Sequence, residues 1–348
     1  MIQVLQNVLR GLTELADIDF TEKNKYSDYG NLKDSKPFSP SASIFDDKKK
    51  TRKWIIVVVA VLLIICIIAW IVSIARCNSI IKITNVVVQH EDIPASFSGY
   101  RILQISDLNG KEYGDRQSEL ISLIKGIDYD MILLTGDYHG DDKDDPWAVL
   151  DLLDGLKTDK PVYYVLGEED VPPRKSADDD WMMCISPDED LQIVTELESR
   201  GVLPVYPAQR IESEAGEYIY LTGIKNSGTL KGFDFEAESE FSICVTHKPV
   251  DYNVDARLKD VNTRIITEID YDLNIAGHTL GGQYKIPILG TVYTGDYGIF
   301  PQESQVYGLS KDSGGRYRYI TSGLGVKSGF RMGISPELAV IELKAVGK

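Results

Sequence analysis

Short apolar runs along this chain end repeatedly in a single polar residue. The run at 273–276 stops at Gly277 and is followed at once by His278. Four other runs end in the same way, and the polar residues that follow them are Asp107, Asp137, Glu168 and His247. A strand that ends like this places its polar residue at the edge of a sheet, where glycine lets the backbone approach an ion or a phosphate closely. The pattern predicts that these strand ends meet.

Helical periodicity separates the apolar runs. Residues 117–127 and 146–157 place apolar side chains at i, i+3 and i+4, which predicts two helices, while residues 81–90 read as a further strand. Strands that alternate with helices along the chain are typical of a layered α/β fold, in which helices cover β-sheets. We therefore predict one α/β domain over residues 79–348.

The region before this domain differs in composition. Residues 1–20 have apolar side chains on one helical face and predict a short amphipathic helix, and residues 21–47 read as a disordered linker. Residues 54–75 contain no charge, and a helix of that length covers the roughly 30 Å hydrocarbon layer of a bilayer. The predicted organisation is a tail at 1–53, a transmembrane helix at 54–75 and the domain at 79–348.

The basic residues predict an orientation. Five lysines and arginines lie within residues 48–53, whereas Arg76 and Lys82 are the basic residues that follow the span closely. Cytoplasmic flanks carry the excess of basic residues, so the tail is predicted to be cytoplasmic and the domain extracytoplasmic. We therefore predict a single-pass cell-membrane protein, in which residues 1–20 are available for a cytoplasmic partner or for self-association.

The charge of the domain excludes one class of partner. Residues 79–348 carry 26 basic and 45 acidic residues, a net charge of −19, within a chain whose net charge is −16. Such a domain repels polyanions and attracts divalent cations. We therefore expect no nucleic-acid binding.

The five motifs, taken in chain order, carry a family resemblance. They read Asp-x-Asn, Gly-Asp, Gly-Glu-Glu-Asp, His-Lys-Pro and Gly-His-Thr-Leu-Gly-Gly-Gln. This order resembles the calcineurin-like metallophosphoesterases, especially their membrane-anchored and secreted bacterial branch, whose motifs are Asp-x-His, Gly-Asp, Gly-Asn-His-Asp/Glu, His and Gly-His-x-His. The resemblance covers residues 81–343. It implies a layered sandwich of β-sheets flanked by helices, and hydrolysis of phosphoesters with two divalent metals about 3.5–4 Å apart.

The resemblance also implies metal ligands. Asp107 corresponds to a ligand of the first metal, and Asp137 to the carboxylate that bridges both. The second metal takes Asp137, Glu168 in place of the usual asparagine, His247 and His278. Carboxylate and imidazole ligands together suit manganese, iron or zinc.

Several positions depart from the family pattern. Asn109 and Leu280 replace two histidines of the first metal, and Glu169 stands where the family has the catalytic histidine that protonates the leaving group. His139 could supply a lost ligand, although a neighbour of a motif is more often an exposed loop residue. The departures predict one tightly held metal rather than two. They leave two interpretations open: a phosphoesterase that acts outside the cytoplasm, or a catalytically silent binding or scaffold protein.

Overall fold

The computed structural model describes residues 43–140, 147–171, 191–223, 241–250, 271–286, 288–294, 296–312 and 314–347. The predicted amphipathic helix at 1–20 and the linker up to residue 42 lie outside the described residues. The helices are α1 Ser43–Ser79, α2 Ser118–Ile124, α3 Trp147–Leu156, α4 Gln192–Ser199 and α5 Glu303–Val306.

The strands form two large sheets and two small hairpins. Those of the first sheet are β1 Lys82–His90, β2 Arg101–Ile105, β3 Met131–Thr135, β4 Val162–Val165, β5 Leu203–Pro204 and β16 Glu337–Ala345. Those of the second are β6 Gln209–Glu212, β7 Tyr218–Gly223, β8 Ser242–Val245, β9 Leu273–Ala276, β14 Gly308–Lys311 and β15 Tyr317–Ile320. The hairpins pair β10 Lys285–Ile286 with β11 Gly290–Thr291, and β12 Tyr293–Thr294 with β13 Gly298–Ile299.

Helix α1 contains the predicted span. Its segment Arg52–Ser79 is long and apolar enough to cross a membrane, with a mean hydropathy of 3.6 and 0% of its most apolar window buried in the fold. Helix α1 begins at Ser43, so residues 43–47 at the end of the predicted linker are helical. The basic residues that follow them are good helix formers, so the helix extends beyond the apolar span.

The core lies in two layers. In β2, Ile102 packs between the two sheets, whereas Leu103 packs on the opposite face under α2, α3 and α4. This alternation follows from the two-residue period of a strand, and it makes the first sheet the middle layer. The predicted layered α/β fold is confirmed.

Strand direction decides where the polar strand ends lie. Strands β2, β3 and β4 are parallel in the first sheet, and β8 and β9 are parallel in the second. The buried Gln104 ties the two sheets together, because its Nε2 donates to Ala276 O at 2.9 Å and to Thr135 Oγ1 at 3.0 Å. The carboxyl ends of all five strands therefore meet at one edge of the sandwich.

Candidate functional site

Gly136 allows β3 to turn into the site. Its φ is +86°, and a Cβ there would lie 2.6 Å from Gly167 N and 2.7 Å from His247 Nδ1. No other residue fits without moving the backbone of the neighbouring loop. Asp137 follows directly, and its Oδ1 accepts a hydrogen bond from the Glu169 amide at 3.0 Å.

Asp170 joins the loops after β3 and β4. Its buried carboxylate accepts hydrogen bonds from the backbone amides of Asp137 (2.8 Å), Tyr138 (2.7 Å) and Gly167 (2.7 Å). His139 Nδ1 lies 3.0 Å from the same carboxylate, and this histidine is 6% exposed. The expectation that His139 is an exposed loop residue is wrong, because a carboxylate from the next strand end covers it.

Three ligand atoms converge between the two sheets. Suitable atoms of Asp137, His247 and His278 all lie within 4.8 Å of one another. Asp137 Oδ2 is 3.1 Å from His247 Nε2, which is in turn 3.3 Å from His278 Nδ1. The structure thus brings together three of the five predicted ligands as one compact group.

In each histidine, the ring nitrogen that points away from the three converging atoms has a hydrogen-bond acceptor. His247 Nδ1 lies 2.7 Å from Thr135 O, and His278 Nε2 lies 2.8 Å from Asp296 Oδ2. A carbonyl or carboxylate oxygen can only accept, so both of these nitrogens donate. Each ring therefore turns its remaining nitrogen toward the centre, in the arrangement usual for metal-ligating histidines. Sequence reasoning missed Asp296, which no strand-end motif marks.

Asp107 supports the group from the first sheet. It is fully buried, and both of its oxygens lie 3.1 Å from the backbone nitrogen of His278. Burial raises the pKa of Asp107, while the charge of His247 opposes and that of Asp137 reinforces this effect. In this structure Asp107 fixes the loop that carries His278.

At the two positions where the family has histidine ligands of the first metal, this chain has Asn109 and Leu280. Asn109 Nδ2 donates to Asp107 O at 3.2 Å, and Asn109 Oδ1 is buried without a hydrogen-bond partner among the described residues. The side chain of Leu280 offers no donor atom, and its carbonyl accepts from Arg331. One amide oxygen therefore remains where the family has two imidazoles.

The two additional glutamates are each paired with a lysine. Glu168 Oε2 lies 2.7 Å from Lys248 Nζ, while its Oε1 is 3.8 Å from His278 Nδ1. Glu169 is nearly buried and forms an ion pair with Lys327, which is 158 residues away in sequence. Lysine charges thus offset the negative charge that the glutamates bring to the cavity. Lys248 could have been noticed as the neighbour of His247, whereas nothing in the sequence marks Lys327.

A cavity of about 460 Å³ opens over these residues. Its walls include Asp107, Asn109, Asp137, Glu168, Glu169 and His278. Tyr293, Asp296 and Lys327 form part of its rim. The donor set of two imidazoles and neighbouring carboxylates fits one divalent transition metal.

Without a metal, the centre holds a proton. Burial alone would lower the pKa of His247, but the charge and hydrogen bond of Asp137, together with the charge of Asp107, raise it to about 10. Burial alone would raise the pKa of Asp137, but the charge and hydrogen bond of His247 lower it to about 2. At neutral pH the metal-free site is therefore an imidazolium-carboxylate pair.

This pair predicts that metal binding releases a proton. The proton on His247 Nε2 must leave before that nitrogen can act as a ligand, so about one proton per bound metal should be released at neutral pH. The metal affinity should accordingly rise as the pH rises toward the His247 pKa. Titration calorimetry with Mn²⁺, in two buffers of different ionisation enthalpy, measures the proton count; identical heats in both buffers would contradict it.

Comparison with known proteins places this geometry in a family. The model of the calcineurin-like phosphoesterase domain matches residues 100–282, more than half of the chain. An uncharacterized metallophosphoesterase of Bacillus subtilis, YkuE, is 25% identical over 283 residues, which cover 76% of this chain and 86% of that protein. A second one from B. subtilis, YkoQ, is 26% identical over 267 residues, or 74% of this chain and 88% of that protein.

A relative with a more specific name comes from Escherichia coli. The phosphodiesterase YaeI is 23% identical over 248 residues, which cover 70% of this chain and 82% of that protein. The matched region contains the five polar strand-end residues, from Asp107 to His278. The resemblance predicted from their motifs is therefore confirmed, and the chain belongs to the calcineurin-like phosphoesterase family, whose members depend on metals.

Proposed function

We propose that this chain is a membrane-anchored, metal-dependent phosphoesterase with a reduced, one-metal site. The observation that carries the proposal is the convergence of Asp137, His247 and His278 within 4.8 Å at the strand ends of the family fold. Glu168 lies beside this group and completes a set of four ligands. Manganese, iron or zinc would suit these donors.

The surrounding side chains define what the site can do with a phosphoester. A divalent metal held there supplies Lewis-acid polarisation of a phosphoryl oxygen. The Lys327 ammonium lies at the cavity rim, and its hydrogen bond to Glu169 raises its pKa, so that it stays charged. Lys327 is thus placed to bind a phosphoryl oxygen, and Glu169 holds the lysine rather than replacing the family histidine as a proton donor.

A phosphodiester is the favoured substrate class. The name of the relative YaeI, a phosphodiesterase, supports this choice. A diester carries one negative charge fewer than a monoester at neutral pH, and the carboxylates that surround the cavity favour the less charged substrate.

One observation favours a second candidate, a catalytically silent binding protein. The Lys248 ammonium lies 2.7 Å from Glu168, at the position of the fourth ligand. A cation held so close competes with a metal for the same carboxylate. Binding without turnover would follow if this ion pair persists.

Metal content and turnover separate the two candidates. The full chain is purified in detergent, its bound metal is counted, and hydrolysis of a chromogenic phosphodiester is followed; Asp137→Asn is the matched control. We expect stoichiometric metal, and turnover that the control loses. Stoichiometric metal without turnover identifies the silent binding protein, and a metal-free chain contradicts the metal-dependent proposal.

The orientation of the anchor is a separate prediction. Because residues 48–53 carry five basic residues, the domain is expected outside the cytoplasm. A phosphatase reporter that is active only outside the cytoplasm, fused after Lys348, should therefore be active. Activity of a cytoplasm-only reporter at the same junction would overturn the orientation and the extracytoplasmic substrate with it.

A further inference from the structure

The two small hairpins and the loop before Met332 expose large apolar side chains. Leu289 is 63% exposed, Ile299 72% and Phe300 58%. We name this surface the apolar rim; it comprises Ile288, Leu289, Tyr293, Ile299, Phe300 and Phe330. Several exposed large apolar side chains on neighbouring hairpins of this kind usually mark an interaction site.

The loop of the apolar rim is attached to the end of α1. Asn78 Nδ2 donates to Arg331 O at 2.8 Å, and the Arg331 amide donates to Asn78 Oδ1 at 2.8 Å. The Lys111 ammonium donates to Asn78 O at 2.6 Å. These bonds fix Phe330, the neighbour of Arg331, beside the end of the helix.

The first hairpin continues from the same attachment. The Lys285 amide donates to Met332 O at 2.7 Å, and the Tyr284 ring packs edge-on against Phe330 with centroids 5.7 Å apart. The second hairpin is joined to the first, since the Val292 amide donates to Tyr284 O at 2.9 Å. A chain of hydrogen bonds and one ring contact therefore leads from α1 to both hairpins.

One residue of the apolar rim, Tyr293, also lines the cavity. Tyr293 and Asp296 of the second hairpin line the cavity, and Asp296 holds His278. The surface that meets an external partner is thus directly connected to the candidate metal centre. A partner that covers the apolar rim therefore lies beside the opening of the cavity.

The length of α1 indicates what covers the rim. Asn78 follows the apolar residues 54–75 by three residues, or about 5 Å of helix. The polar headgroup layer on each side of a bilayer is about 5–7 Å deep. If α1 spans the membrane, Asn78 and the attached Phe330 lie at the depth of the lipid headgroups.

We propose that the apolar rim docks on the bilayer that contains α1 and turns the cavity toward lipid headgroups. As a corollary that rests on the proposed function, the substrate is a phosphodiester carried by a bilayer lipid. Docking is driven by apolar burial, because residues 79–348 carry a net charge of −19 and are not attracted to anionic lipids.

Photo-crosslinking of the full chain tests the docking directly. The photoreactive residue p-benzoylphenylalanine replaces Ile288 or Ile299, and the protein is reconstituted in phosphatidylcholine vesicles with a trace of radiolabelled phosphatidylcholine. Leu203, an exposed apolar residue of β5, is the matched control position. Burial of the rim in lipid should give lipid labelling about tenfold or more above the control.

Two results would overturn the docking proposal. Labelling at 288 and 299 no greater than at 203 would show that the rim faces water. Crosslinks to protein instead of lipid would show that a second copy, or another segment of this chain, covers the rim. Neither readout requires catalysis, so the docking proposal is tested even if the proposed activity fails.

The substrate class has its own test. An Ile288→Ser, Ile299→Ser variant should lose about tenfold in turnover of a phosphodiester lipid in vesicles, because apolar burial brings the cavity to the surface. Its turnover of a soluble chromogenic phosphodiester should be unchanged. Equal losses on both substrates, or turnover of the soluble one alone by the natural protein, would refute the lipid substrate. Absence of turnover on either refutes the proposed function and its corollary together.

Discussion

Replacing His247 by glutamine is expected to weaken metal binding about 100-fold or more. Losing a hydrogen-bond partner behind a metal ligand typically costs about 10- to 100-fold in affinity, and losing the ligand itself should cost at least as much. His247 Nε2 lies at the centre of the three converging atoms, 3.1 Å from Asp137 and 3.3 Å from His278. Metal retained after dialysis against a graded chelator series, measured by mass spectrometry, gives the change in affinity.

Two further substitutions show whether the loss of metal affinity comes from this site. Asp296→Asn keeps the shape of the residue behind His278 but weakens its acceptor, so about a tenfold loss is expected. His90→Gln is the comparison variant, because His90 ends β1 and lies in a separate group with Asp92 and Asp272 that could also hold a metal; an unchanged affinity in this variant shows that the measured metal is not held there. Equal losses in all three variants would indicate general destabilisation, and an unchanged His247→Gln would show that the metal is held elsewhere.

The sequence predicted the meeting of the strand ends for a simple reason. Parallel strands of one sheet end at the same edge, so His247 and His278 lie close together once β8 and β9 pair. Asp137 follows β3 of the other sheet, and it joins them because the two sheets pack with their carboxyl ends at one edge. Helical periodicity, a different local pattern, located α2 and α3, whose observed bounds fall inside the predicted periodic segments.

Pairings across long sequence separations were not predictable in this way. Lys327 reaches Glu169 because the last glycine-rich segment returns to the site, and no local pattern encodes that return. Asp296 lies on a hairpin whose position depends on contacts with the segment around Met332. The burial of His139 likewise depends on Asp170 from another strand end.

These long-range pairs change the interpretation of the glutamates. From the sequence, Glu168 and Glu169 only add negative charge where a phosphate must bind. In the structure each is neutralised by a lysine, and Lys327 brings its own positive charge to the cavity rim. The histidines absent from positions 109 and 280 and the lysines beside Glu168 and Glu169 both change the charge around the cavity. A variant that combines substitutions at these positions tests the two changes together.

Restoring the family residues should restore a second metal and raise the rate of hydrolysis. The variant combines Asn109→His and Leu280→His, which return imidazoles to the first metal, with Glu168→Asn and Glu169→His, which remove two carboxylates. A histidine placed to protonate the leaving oxygen is typically worth about 10²- to 10⁴-fold, so turnover of a chromogenic phosphodiester should rise by about 100-fold or more. Metal counting on the same sample should give two metals instead of one.

A matched control separates the new imidazoles from the loss of charge. The control variant carries Asn109→Gln, Leu280→Met, Glu168→Asn and Glu169→Gln, which remove the same two charges without adding a histidine. It should bind one metal at most and gain little in rate. Glutamine at position 109 keeps an amide oxygen there, as in Asn109, but the variant adds no imidazole ligand. An equal gain in both variants would mean that carboxylate repulsion alone limits hydrolysis. A folded restoration variant that binds two metals without any gain would mean that the cavity no longer accepts a phosphodiester, and the silent binding protein would then be the better account of this chain.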